Sequence, residues 1–165
     1  MAEAVIRPAA RTDLPAILAI YNDAVVNSTA IWNWSPVDLA NREAWFDARA
    51  AQGYPILVAD LGTGAVAYAS FGDWRPFDGY RHTVEHSVYV AGEARGIGLG
   101  LTLLDGLVEE ARRLGKHVML GGIDATNAAS LALHRKAGFV ETARMPQVGR
   151  KFDRWLDLVF MQRML

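Results

Sequence analysis

A chain of 165 residues, 52% of them apolar and none of them cysteine, can bury one core without disulfides and offers no thiolate for catalysis or zinc. A formal charge of −1 leaves no basic excess for nucleic acid and no acidic run that would solvate a disordered tail. Met1-Ala2-Glu3-Ala4-Val5-Ile6-Arg7 lacks a charged lead with a long apolar stretch behind it, and no apolar run reaches bilayer length, so a soluble, cytoplasmic, single domain over residues 1–165 is expected.

Val5-Ile6 opens a first strand. Thr12 or Asp13 can cap a helix through Leu14, Ile17, Leu18, Tyr21 and Val25, with Pro15 harmless in its first turn. Ser35-Pro36-Val37-Asp38 reads as a capping box with proline at the first helical position, opening a helix through Leu39, Trp45 and Phe46 to near Ala51. Between them Thr29-Ala30-Ile31-Trp32-Asn33-Trp34 is too aromatic for an idle loop. Pro55-Ile56-Leu57-Val58-Ala59 reads as a buried strand, Gly62-Thr63-Gly64 as a turn, and residues 65–71 as the returning strand. Residues 72–81 form a loop carrying Trp74, Arg75, Phe77, Tyr80 and Arg81. Residues 83–90 alternate as a strand; a glycine-rich turn follows, then a helix over about 98–114 stopped by Gly115. A strand over 117–121, a helix over 127–137 closed by Gly138, and strands over 139–143 and 155–162 complete the order βααβββαβαββ. Early hairpins and later alternation predict an α/β (α+β) chain with a mixed central sheet flanked by helices.

The turn Arg95-Gly96-Ile97-Gly98-Leu99-Gly100 joins a strand to a helix. Amides at a helix N-terminus have no internal partner and, with the helix dipole, make an anion site that glycine lets a phosphate approach closely. Arg95 can add a charged contact. A dinucleotide fingerprint needs Gly-x-Gly-x-x-Gly, but position 101 is Leu; a Walker loop needs a Gly-Lys-Ser/Thr ending, which is absent. Arg95, Gly98 and Gly100 resemble the Arg/Gln-x-x-Gly-x-Gly/Ala turn of GCN5-related N-acetyltransferases. The plain alternative is a glycine-rich connection that holds nothing.

Longer segments extend that resemblance over essentially the whole chain. Thr83-Val84-Glu85-His86-Ser87-Val88-Tyr89-Val90, Gly72-Asp73-Trp74-Arg75-Pro76-Phe77, Met145-Pro146-Gln147-Val148-Gly149, Arg154-Trp155-Leu156-Asp157-Leu158, Tyr21-Asn22-Asp23-Ala24-Val25 and Thr29-Ala30-Ile31-Trp32 resemble the phosphinothricin and methionine sulfoximine (methionine sulfone) acetyltransferase family. The resemblance implies the GNAT fold, acetyl-CoA as co-substrate, acetylation of the α-amino group of small amino acids, no metal, and a homodimer. It places acetyl-CoA on Val88, Tyr89 and Val90, on the turn from Arg95 through Gly96, Ile97, Gly98, Leu99 and Gly100 to Leu101, and on Asn127.

The implied reaction is aminolysis of a thioester. An ammonium has no lone pair, so a base must first remove a proton; Glu85 occupies the family's base position, and partial burial would raise its pKa. Its plain reading is a structural ion pair. His134 matches a histidine assigned a catalytic role in herbicide-detoxifying relatives; its plain reading is a satisfied helix histidine. Asn127 is an N-cap by preference and a CoA contact by resemblance. The acceptor set is Trp32, Arg75, Pro76, Phe77, Arg81, Glu85, His86 and Ser87, with the arginines supplying charge for a carboxylate or sulfone-like group. Strand alternation puts Ser87 on the face of Glu85 and His86 on the other. The four histidines lack paired ligand spacing. A different amine or a peptide N-terminus as acceptor, and a non-catalytic CoA-binding module, are the competing readings.

Overall fold

The computed structural model describes residues 4–165; the first three residues of the N-terminal segment discussed above lie outside it. Its elements are β1 (Val5–Pro8), α1 (Leu14–Asn27), α2 (Leu39–Gln52), β2 (Ile56–Asp60), β3 (Ala65–Asp73), β4 (Thr83–Val90), α3 (Leu99–Arg113), β5 (Val118–Asp124), α4 (Ala128–Lys136), β6 (Val140–Lys151) and β7 (Arg154–Met164). The order is the expected βααβββαβαββ. The seven strands form one sheet in the order β1-β2-β3-β4-β5-β7-β6. Every neighbouring pair is antiparallel except β4 and β5.

Alternation along the strands builds a core on each face of the sheet. Ala67, Ala69, Phe71 and Val84 turn toward Leu99, Leu103, Leu104 and Leu107 of α3. Val58 and Tyr68 turn the other way, toward Leu14, Ile17 and Ile20 of α1. A smaller cluster of Ala24, Val25 and Ile31 packs against Tyr21 and Tyr89. Each helix buries its apolar stripe where the strand side chains supply a matching face. Among the described residues no helix is long and apolar enough to cross a membrane.

The strand expected over 117–121 runs on to Asp124, and two further boundaries differ from expectation. Asp38, not Ser35, caps α2, its Oδ1 accepting the Asn41 amide at 2.9 Å. The Asn22 side chain holds both the amide and the carbonyl of Val37, which keeps the chain before Asp38 out of the helix. The strand expected to end at Ala143 runs on to Lys151 and forms a long hairpin with β7. Its pairing slips between Met145 and Gly149, around Pro146. An outermost strand tolerates a proline and a bulge that a central strand would not, so the local sequence hid the continuation. Phe152 and Asp153, both at positive φ, make the turn.

At the opposite edge Arg7 bridges Asp13 and Asp60 at 2.7 and 2.8 Å. Asp13 is buried and also accepts the Ala10 amide. The Arg7 hydrogen bond outweighs burial and holds the Asp13 carboxyl below its ordinary value. A carboxylate depressed in the folded state contributes stability above its unfolded pKa and loses it as pH falls through the folded one. Asp13→Asn should therefore lower stability at pH 7 by about 2 kcal/mol in denaturant titrations and flatten the acid limb of the stability profile.

Candidate active site

β4 and β5 are paired only at their first residues. Thr83, Val84 and Glu85 face Val118, Met119 and Leu120, after which the strands separate. β4 remains paired to β3 as far as Val90, and β5 remains paired to β7 as far as Asp124. Each strand is held by its outer neighbour, so a fork opens between them. Main-chain groups of β4 beyond Glu85 that would have faced β5 are left for another partner. A cavity of about 240 Å³ fills the fork, with Glu85, Ser87 and Tyr89 on one wall and Gly122, Asp124 and Asn127 on the other.

Glu85 is the last paired residue before the fork. Burial pushes its carboxyl above the ordinary value. A Cβ at position 122 would lie 3.2 Å from Glu85 Oε1, so Gly122 leaves the carboxylate room on the cavity side. Ser87 follows on the same face, as alternation requires.

His86 faces α4 and stacks on His134, the ring centres 4.9 Å apart. The two Nε2 atoms are 3.0 Å apart, and His134 Nδ1 lies 2.6 Å from the Ser130 carbonyl. A carbonyl only accepts, so His134 carries its proton on Nδ1. Burial lowers both imidazole pKa values, that of His86 to about 3, and keeps both rings neutral. His134 Nε2 is then an acceptor, and His86 Nε2–H donates to it. His86 Nδ1 has no partner and is bare. His86 also lines the cavity, with its N–H committed to His134. His134 reaches the cavity wall with both nitrogens engaged, so it has no free N–H for a leaving group. Gly121 lies beneath the pair; a Cβ there would sit 2.6 Å from His86 Nε2.

The glycine-rich turn lies beyond the C-terminal end of β4. Gly96 and Gly98 have φ of +82° and +91°, a conformation that glycine adopts without strain. The first amides to bond back are those of Leu101 and Thr102, both to the Gly98 carbonyl. Earlier amides of the first turn of α3 thus stand at an N-terminal anion position. Arg95 spans the turn, its Nε donating to the Val90 carbonyl. Asn127 caps α4 by accepting the Ser130 amide at 3.0 Å and also lines the cavity.

The aromatic loop after α1 closes one side. Trp32 lines the cavity, donates its Nε1–H to the Thr29 carbonyl and lies flat against Gly149 of β6, where a Cβ would meet the ring at 2.2 Å. Thr29 is tied in turn to Asp124 at the end of β5. Burial opposes the charge on Asp124, but hydrogen bonds from Thr29 and Thr126 keep its carboxyl below the ordinary value. Arg75, Pro76, Phe77 and Arg81 do not join this cavity; they are exposed on the loop between β3 and β4. Arg75 covers Trp74, and Arg81 turns to His82. Trp74 connects that loop inward, edge-on to Phe160 of β7, and Lys116 Nζ donates to the Arg81 carbonyl. The sequence reading missed Asp124, Gly121, Gly122 and Gly149. The one signal for Asp124 was a carboxylate at the end of a strand followed by a helix cap.

A family model described as the acetyltransferase (GNAT) family matches residues 17–139. The chain belongs to the GNAT acetyltransferase family. It is 66% identical over 158 residues to the L-methionine sulfoximine/L-methionine sulfone acetyltransferase of Pseudomonas paraeruginosa, covering 95% of this chain and 92% of that one. Among solved structures it resembles a ribosomal-protein-alanine N-acetyltransferase from Brucella melitensis, with a TM-score of 0.96 and 57% identity, covering 98% of this chain and 99% of the other. It also resembles YncA of Salmonella typhimurium, solved with its cofactor acetyl-CoA, with a TM-score of 0.97 and 56% identity over 99% and 94% of the two chains. In this GNAT acetyltransferase Glu85, the turn, Asn127 and His134 all fall inside the matched segment, whereas the β6–β7 hairpin lies outside it.

Gly121→Ala drives a methyl group into the imidazole pair. It should cost about 1–3 kcal/mol, read as a lowered thermal midpoint, as other overpacked core sites do.

Proposed function

We propose that residues 1–165 form a single cytoplasmic acetyltransferase domain that uses acetyl-CoA to acetylate the α-amino group of small amino acids such as methionine sulfoximine, methionine sulfone or phosphinothricin. The observation that carries this reading is Glu85: a carboxylate with a raised pKa, at the point where two strands separate, facing a small polar cavity. A base tuned upward from the carboxylate range suits removal of a proton from an amino acid ammonium. The relatives' names supply the acceptor class, and the polar lining with Glu85, Ser87 and Asp124 is consistent with a zwitterion.

Acetyl-CoA brings an activated acetyl group. In this reading Gly96, Ile97, Gly98, Leu99 and Gly100 hold its pyrophosphate with their amides, Leu101 borders it in the first turn of α3, and Arg95 adds positive charge. Val88, Tyr89 and Val90 offer main-chain groups to its extended arm along the open edge of β4, and Asn127 contacts it from the opposite wall. Glu85 takes a proton from the acceptor, the amine nitrogen bonds to the acetyl carbon, and the carbon–sulfur bond breaks. Main-chain N–H groups at the fork stabilise the oxygen that becomes negative on the way. The second proton of the attacking nitrogen passes to the sulfur as the carbon–sulfur bond breaks, so CoA leaves as the thiol and the engaged nitrogens of His134 are not called on to donate. Arg75 and Arg81, on the exposed loop with Pro76 and Phe77, supply positive charge that draws an incoming carboxylate.

We also read the chain as a homodimer. Val140, Met145 and Val148 on the outermost strand β6, with Trp155 across the hairpin, are large apolar side chains left exposed. A mass of two chains by light scattering is the expected result.

The name of the Brucella relative keeps a peptide N-terminus in play as acceptor. A thiol-release screen with acetyl-CoA across methionine sulfone, methionine sulfoximine, phosphinothricin, the common amino acids and alanyl peptides decides between them. Turnover only with peptides would overturn the small-acceptor reading. Glu85→Gln should lower kcat by about 100-fold or more while acetyl-CoA affinity is kept. Because the base must be deprotonated, wild-type activity should fall as pH drops through a midpoint above the usual carboxylate range, and Glu85→Gln should lack that limb.

A further inference from the structure

Lys151 ends β6 with its side chain buried, only 3% of the residue being exposed. Its Nζ donates to the carbonyls of Val25, Ser28 and Ile31 at 2.5, 2.7 and 2.5 Å. An ammonium has three N–H groups, so all of its donors are used, and none goes to a carboxylate. Val25 lies in the last turn of α1, where carbonyls have no helical partner and the helix dipole favours a cation. Ser28 and Ile31 belong to the loop that follows. One buried cation therefore gathers a helix end and a loop onto the tip of the β6–β7 hairpin.

The residue after Ile31 is Trp32, the aromatic wall of the cavity. Its ring rests on Gly149, two residues before Lys151 on the same strand. Asp124 holds the loop from the opposite side through Thr29. Trp34 adds a third tie, its Nε1–H donating to the Arg150 carbonyl at 2.8 Å. The hairpin thus places the Trp32 wall opposite β4, and Lys151 is its buried anchor. Gly149 and Lys151 lie outside the segment that the family model matches, and Glu85 and the phosphate turn lie inside it.

We propose that Lys151 is a positioning residue for acceptor recognition: by holding the carbonyls of Val25, Ser28 and Ile31 it fixes Trp32 against Gly149 and sets the width of the acceptor cavity. This rests on the reading of that cavity as the acceptor site. It assigns Lys151 no contact with the phosphate turn or with Glu85.

The test compares wild type with Lys151→Met, Lys151→Arg and Gly149→Ala. Methionine has similar length but leaves three carbonyls without a donor. Arginine keeps the charge, but its planar fork cannot converge on three acceptors around one point. In Lys151→Met the KM for the best acceptor should rise about tenfold or more, a typical effect of a displaced positioning group. The KM for acetyl-CoA should stay within about twofold, in the absence of any contact there. Hydrogen exchange of amides in residues 28–34 should quicken about tenfold, with the amides of β2 to β5 unchanged. Lys151→Arg should show the same split to a smaller degree, and Gly149→Ala should reproduce the KM split by pushing Trp32 away. Acceptor KM and loop exchange both at wild-type values in a folded Lys151 variant would overturn the proposal, as would parallel rises in both KM values. If Lys151→Met does not fold, Lys151→Arg and Gly149→Ala carry the test, and wild-type acceptor KM in both overturns it. A wild type that acetylates none of the sulfone or phosphinate acceptors defeats the substrate reading alone. The KM split is then measured with whichever amine it accepts, and the exchange result stands regardless.

Discussion

Everything at the site depends on the separation of β4 from β5. A parallel pair that stayed in register would satisfy its own main chain and leave no opening. Here β3 and β7 pull the two strands apart after Glu85 and Leu120, because each outer pairing continues for the full length of its strand. The separation places a carboxylate at the point of division, frees the edge of β4 and lets α4 approach from the far side. The places of Glu85, the open strand edge and Asn127 are therefore consequences of one topological feature. The rise in the Glu85 pKa belongs to it as well, since the flanking walls remove water from the carboxylate without supplying a cation.

The fork would close on itself if its walls carried ordinary side chains. Gly121 leaves space for the imidazole pair, Gly122 for the Glu85 carboxylate and Gly149 for the Trp32 ring. None of these three glycines has a positive φ, so their need is for space rather than backbone freedom. At Gly96 and Gly98 the reverse holds: a Cβ would meet nothing, and it is the backbone conformation that asks for glycine. One residue type thus serves two physical purposes on two sides of the same site. The neutral histidines fit the same logic. Their chain of hydrogen bonds from His86 to His134 to the Ser130 carbonyl rigidifies the wall at the cost of one bare nitrogen, His86 Nδ1.

What was legible in the sequence is what local pattern encodes. Strand alternation placed Glu85 and Ser87 together and turned His86 away, and it did so correctly. The turn from Arg95 to Gly100 was legible because consecutive residues make the whole feature. Contacts that join distant segments were not. Lys151 to Val25 spans 126 positions and Thr29 to Asp124 spans 95, and no local periodicity encodes either. The β6 strand was shortened for the same reason, since its continuation past Pro146 is fixed by pairing to β7 rather than by its own residues. His86 shows the limit from the other side: its face was predicted, but its partner on α4 was 48 positions away.

The family-wide match stops short of the β6–β7 hairpin. Inside it lie β4, the fork, the turn and α4, the elements that the proposed reading assigns to the acyl donor. A pyrophosphate and an extended arm ask for main-chain amides and an open strand edge. Outside it lies the hairpin whose tip carries Gly149 and Lys151. A wall for a small acceptor must be closely placed, and the tip of an edge hairpin can be reshaped without disturbing β4 and β5. Tying that hairpin to the loop after α1 through one saturated ammonium makes the wall rigid while leaving the fork untouched. The hairpin tip and the fork are thus tied through the loop after α1, with Trp32 between them.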